Sequence, residues 1–81
     1  MYKIIKATGH DGTDKLPQIA EVHSLEGKFL WIPQVDGSFG FLYNDNSGKI
    51  RSSSKINEIV WENSKVIIKT QNTEYLFERI D

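Results

Sequence analysis

The clearest alternation of apolar and polar positions lies in the last third of the chain. In "SKINEIVWENSKVIIKTQNTEYLFERI", Ile56, Ile59, Val60 and Trp61 precede the polar turn Glu62-Asn63-Ser64. Val66, Ile67 and Ile68 follow, then Gln71-Asn72, then Tyr75, Leu76, Phe77 and Ile80. Short β-branched and aromatic runs separated by Asn and Ser are what strands joined by hairpins require. The segment predicts three strands and two tight turns, an antiparallel meander.

The middle of the chain behaves similarly. "KFLWIPQV" predicts a strand interrupted at Pro33, because proline has no N–H to give a ladder and so marks an edge, a bulge or a break. Asp36-Gly37 predicts a hairpin turn, with glycine supplying the positive φ. "SFGFLY" returns as a strand, Asn44 to Gly48 form a polar loop, and "KIRSS" opens another strand. Nearer the start, "MYKIIKAT" predicts a strand and Gly9 to Lys15 a polar loop. The stretch "LPQIAEVHSLEG" suits a helix, with Pro17 near the first turn, apolar Leu16, Ile19, Ala20 and Leu25, and Gly27 as a stop. It also suits a strand turning at Glu26-Gly27 into "KFLWI", and the hairpins elsewhere favour that reading. The expected fold is all-β: one domain over residues 1–81, a small SH3-like barrel or a curled antiparallel sheet of five to six short strands, with at most one short helix. An OB-type barrel ranks second.

Composition narrows the classes. A chain of 81 residues buries only about 60% of its unfolded surface, so its stability margin is thin. It has no cysteine, which excludes disulfides and thiolate zinc sites and fits a cytoplasmic protein. A formal charge of −1 is no basic footprint for nucleic acid. The start lacks the pattern of a secretory signal, and no apolar run is long enough to span a bilayer. A cytoplasmic protein without a membrane partner is expected.

Few residues invite chemistry. His10, Asp11 and Asp14 share a loop, but no helical i, i+4 spacing or second nearby histidine makes them a metal site. "YNDNSGKI" has calcium-loop spelling, yet in that register Tyr43 and Ser54 stand where acidic ligands are needed. Ser52, Ser53 and Ser54 lie in no nucleophile elbow and read as strand-edge hydroxyls or a turn. No catalytic, cofactor-binding or metal-ligating residue emerges, and an enzyme is not expected. Trp31 and Trp61 both lie in predicted strands and are expected in the core, with an interface role as the alternative.

Two resemblances add context. Phe39-Gly40-Phe41-Leu42 resembles the core of the RNP1 strand of RNA-recognition and cold-shock domains, and alternation puts Phe39, Phe41 and Tyr43 on one face. That resemblance implies a stacking platform for single-stranded nucleic acid. Gly37, Ser38 and Asn44 stand where the motif has a basic residue, a glycine and an aromatic, so the favoured reading of the strand is one aromatic face packed in the core, with a nucleic-acid platform or a protein-binding patch as the alternatives. Residues 52–78 resemble a pattern of small β-rich proteins from phages and mobile elements of low-GC Gram-positive bacteria. It is carried by Ser52 to Ser54, Ile56, Ile59, Thr70, Asn72, Thr73, Tyr75, Phe77 and Glu78. This resemblance implies a phage or mobile-element accessory protein and transfers no functional residue.

The functional expectation is a non-enzymatic protein that binds and occludes a larger bacterial protein, such as a defence, replication or transcription component. The expected contact surface comprises Trp31, Phe39, Phe41 and Tyr43, with Lys28 and Arg51 at its rim. Single-strand nucleic-acid binding through the same aromatic strand, and a self-assembling module, are the alternatives.

Overall fold

The computed structural model describes residues 1–81. Seven strands and one helix follow in the order β1 (Tyr2–Gly9), α1 (Leu16–Val22), β2 (Glu26–Phe29), β3 (Gly40–Tyr43), β4 (Ile50–Ser52), β5 (Ile56–Glu62), β6 (Lys65–Thr70) and β7 (Thr73–Arg79). All pair antiparallel in a single sheet of order β4-β3-β2-β1-β7-β6-β5. Strands adjacent in sequence are therefore hydrogen-bonded neighbours everywhere except between β4 and β5. There the sheet is open. The expected count of five to six strands falls short by one or two, and the sheet does not close into a barrel. Part of the opening is crossed by irregular backbone: Asp36 N–H donates to the Ile56 carbonyl and Ile56 N–H to the Gly37 carbonyl, both at 2.8 Å.

The C-terminal meander forms as its spelling requires, with β5 and β6 joined at Asn63-Ser64 and β6 and β7 at Gln71-Asn72. Asn63 takes φ 55°, a conformation its short polar side chain tolerates. At the second turn the buried Thr70 hydroxyl donates to the Thr73 carbonyl at 2.8 Å and accepts from Thr73 N–H at 3.0 Å. One side chain thus satisfies both backbone groups that the turn leaves over.

Residues 16–22 are a helix, correcting the preferred strand reading. Pro17 lies in the first turn, where a missing N–H costs nothing. Asp14 Oδ1 accepts from Leu16 N–H at 3.1 Å, satisfying an amide that the helix itself leaves unpaired. Ile19 is buried and Leu16 half-buried against the same core, an i, i+3 pair that a strand would have split between faces. Glu26-Gly27, read as a turn, lies inside β2.

The core consists of Ile4, Ala7, Ile19, Phe39, Phe41, Tyr43, Ile56, Val66, Ile68, Tyr75 and Phe77, with half-buried Phe29 packed against it. Phe77 is its hub, with ring centroids of Phe29, Phe41, Phe39 and Tyr75 at 4.8, 5.2, 5.4 and 5.8 Å. The opposite face of β1, β5, β6 and β7 carries three cross-strand rows. Val60, Ile67, Leu76 and Lys6 form the middle one. Glu58, Lys69, Glu74 and Thr8 flank it on one side, and Glu62, Lys65, Glu78 and Lys3 on the other. Charge alternates in sign from Glu58 to Glu74 in the first flanking row and along all of the second, so directly opposed charges attract.

Candidate functional site

The expected contact surface does not exist as one surface. Phe39 and Phe41 are completely buried and Tyr43 is 5% exposed, so the face they share points into the core. The reason is the register: Phe41 pairs with Phe29 and Tyr43 with Gly27, on the side of the sheet that Ile4 and Phe77 also occupy. Lys28 and Arg51 are separated by the same alternation. Lys28 pairs with Leu42 and is exposed on the outer face, whereas Arg51 pairs with Phe41 and lies half-buried on the inner one.

Trp31 is not a core residue, and neither is Trp61: they are 48% and 53% exposed. Trp31 belongs to the ten-residue connection between β2 and β3, which leaves the ladder after Phe29 and brings several large apolar side chains to the surface. Leu30 and Val35 are exposed and Ile32 is 74% exposed, while Pro33 between them is buried. The sequence signal for this was the apolar run "LWIPQV", too long for the alternation of a half-buried strand.

The connection is held in place at several points. Leu30 N–H donates to the Gly40 carbonyl at 2.9 Å, and Gly37 N–H to the Gln34 carbonyl at 3.0 Å, closing a four-residue turn. Asp36, at the third position of that turn, takes φ 70°, the left-handed conformation that had been expected of Gly37. Trp31 Nε1–H donates to the Ser38 carbonyl at 2.8 Å. Its ring lies against Gly40, where a Cβ atom would collide with it. Phe39 and Phe41 point inward, so the Trp31 ring sits on the outer face, the face that carries Lys28. Ser53 anchors the far end, its hydroxyl accepting from Phe39 N–H at 2.9 Å, which is the strand-edge role the serine run suggested.

The other polar residues singled out in the sequence build loops. Asp11 Oδ1 accepts from Thr13 N–H at 3.0 Å, as Asp14 does from Leu16, so both carboxylates shape the turn into α1. No group of three His, Asp or Glu side chains is placed to hold a metal ion. In the loop after β3, Asp45 accepts from Ser47 N–H at 3.0 Å, from His23 Nδ1 at 2.9 Å and from Ser24 N–H at 3.2 Å. Hydrogen bonding from Ser47 is the largest influence. With the His23 and Ser24 bonds it outweighs the burial that opposes ionisation, and it holds the carboxyl far below its ordinary value of 3.8. A depressed folded-state pKa stabilises above the ordinary value, and that contribution is lost as pH falls through and below it. The stability deficit of Asp45→Asn, measured by urea unfolding, is therefore expected to be full near neutral pH and to shrink steadily below about pH 4. A deficit that stays constant with pH contradicts this role for the carboxylate.

The only helix has seven residues, and none is long and apolar enough to cross a membrane. No family model matches this chain, and neither a curated protein nor a solved structure shows significant similarity to it.

Proposed function

We propose that the chain is a non-enzymatic binding protein that presents the Leu30–Val35 loop to a larger bacterial protein and occludes a site on it. The observation that carries this reading is the fixed exposure of Leu30, Trp31, Ile32 and Val35 within one six-residue stretch. Single exposed apolar residues are ordinary, but a contiguous set marks an interaction surface. The braced tryptophan adds a rigid aromatic anchor, and rigidity lowers the entropy lost on docking. Lys28, on the same face, stands at the polar rim. In this reading the fold is an opened relative of small SH3-like scaffolds, whose connections rather than strands carry recognition. The likeness of residues 52–78 to phage and mobile-element proteins points to a host defence, replication or transcription component as the partner.

The stacking-platform alternative is not favoured, because Phe39 and Phe41 are inaccessible. Affinity capture from a bacterial lysate, with and without nuclease, tests the proposal. The expected result is a nuclease-resistant protein that wild type retains and Ile32→Asp loses. A hot-spot loss of about 2 kcal/mol corresponds to roughly 30-fold weaker binding. Ile32 is the most exposed of the loop's large apolar residues, so the substitution is expected to leave folding within about 0.5 kcal/mol of wild type. A catch that disappears with nuclease, or one that Ile32→Asp retains in full, overturns the reading.

A further inference from the structure

On the other face of β3 from Trp31, a cleft of about 520 Å³ opens between α1 and β4. Lys15, Lys49 and Arg51 line it with His23, Tyr43 and Ser52, and none of its lining residues is acidic. Three of the chain's ten Lys and Arg residues thus meet where none of its eleven Asp and Glu residues does, although the net charge is −1. None of the three lies within ion-pair distance of a carboxylate.

The charges are positioned from below. Arg51 Nε donates to the Tyr75 hydroxyl at 3.0 Å, with the guanidinium 5.5 Å from the centroid of the Tyr75 ring. Tyr43 also interacts with the group, and none of its nitrogens has a carboxylate within ion-pair distance. Lys15 Nζ donates to Thr73 Oγ1 at 2.7 Å. Thr73 and Tyr75 are two residues apart on the inner face of β7, so the two anchors stand roughly 7 Å apart along the strand. His23 lies flat on Tyr43, with centroids 4.1 Å apart and planes within 6°, and its Nδ1 is fixed by Asp45. The cleft therefore has a rigid aromatic wall and two braced cations, and Lys49 is exposed at its mouth.

We infer that this cleft binds a small phosphate-bearing ligand. A half-buried guanidinium without a counter-ion is electrostatically unfinished, and its planar fork matches phosphate oxygens bidentately. Three positive charges favour a multiply charged anion over a single carboxylate. A nucleic-acid strand would need cations tracking away from the cleft, and the outer rows of the sheet alternate in sign instead. The inference does not depend on the Leu30–Val35 loop, whose Trp31 ring lies on the opposite face of β3.

Titrating inorganic pyrophosphate into the full chain by calorimetry at low salt tests it. One-to-one binding is expected, with Arg51→Gln weakening it by about tenfold or more. Lys49→Gln is expected to weaken it about threefold. Lys3→Gln, in an outer row, changes nothing. Lys49 makes no hydrogen bond through its side chain, so its effect remains readable even if thermal melts show that Arg51→Gln unfolds the domain. Absence of binding at millimolar pyrophosphate overturns the inference, as does binding that Lys49→Gln and a folded Arg51→Gln both leave intact. A ten-nucleotide oligothymidine that binds more tightly than pyrophosphate, with a steep salt dependence, overturns it in favour of a nucleic-acid strand.

Discussion

Replacing Phe77 by alanine is expected to cost about 3–5 kcal/mol of folding stability. Its ring is fully buried and meets the rings of Phe29, Phe39, Phe41 and Tyr75. The contacts with Phe29 and Phe39 are edge-to-face, an arrangement that adds about 0.5–1.5 kcal/mol each beyond the area buried, and truncation loses both together. A single domain of this length has only about 4–12 kcal/mol in total, at 0.05–0.15 kcal/mol per residue. The midpoint of thermal unfolding is therefore expected to fall by roughly 12–40 °C. Phe77→Leu, which keeps most of the volume, is expected to retain the fold. Phe41→Ala belongs with Phe77→Ala, because Phe41 is equally buried within the same cluster. A Phe41→Ala protein that melts like wild type but loses oligonucleotide binding would restore the stacking platform.

Gly27→Ala is the second large effect, and it acts by overfilling. Gly27 is buried in β2, opposite both Tyr2 and Tyr43. A Cβ atom there would collide with the Leu42 carbonyl oxygen and lie 2.8 Å from two atoms of the Phe41 ring. The ring cannot retreat, because Phe29 and Phe77 pack against it at 5.6 and 5.2 Å. The carbonyl belongs to the paired strand. Overpacking usually costs about 1–3 kcal/mol, and contact with backbone places this substitution at the upper end. An unfolding midpoint within a degree or two of wild type would show that β2 and β3 can separate to admit the methyl group. Gly37→Ala is the matched control: its Cβ atom would approach only the Gln34 carbonyl oxygen, at 3.3 Å, and its φ is not in the left-handed region.

The strands were legible where local chemistry and the final environment agree. The three strands from Ile56 to Arg79 follow from runs of β-branched and aromatic residues between Asn- and Ser-bearing turns. α1 was harder to read, because seven residues give barely two turns of periodicity. What decides for the helix is Ile19 meeting the core, with Asp14 supplying an acceptor at its start. The turn at Gln34–Gly37 was legible as a turn, but not in its details. The left-handed residue is Asp36, and the connection runs for ten residues because the ladder ends at Phe29.

The functional residues divide in the same way. Trp31 and Lys28 are legible by residue type, and both lie on the outer face; Leu30, Ile32 and Val35 are not, because apolar residues beside a strand look like its continuation. Arg51 does share the face of Phe41, but that face is the core side, and Arg51 sits at its edge beside Tyr75. Its place beside Tyr75 joins residues 24 apart in sequence, and Lys15 meets Thr73 across 58. No local pattern encodes such pairs.

The amino-acid sequence by itself determined that the chain is built of short antiparallel strands, that no thiolate chemistry is available, and where most turns fall. These depend on residue type and near neighbours, through steric preference and alternation. Only the tertiary structure decided which face of each strand is inside, and with it the roles of Phe39, Phe41, Tyr43, Trp31 and Arg51. Alternation fixes that two faces differ, but the choice between them comes from pairing. Once β1 lies between β2 and β7, the side carrying Ile4, Phe41 and Phe77 is enclosed, and every other side chain turns outward.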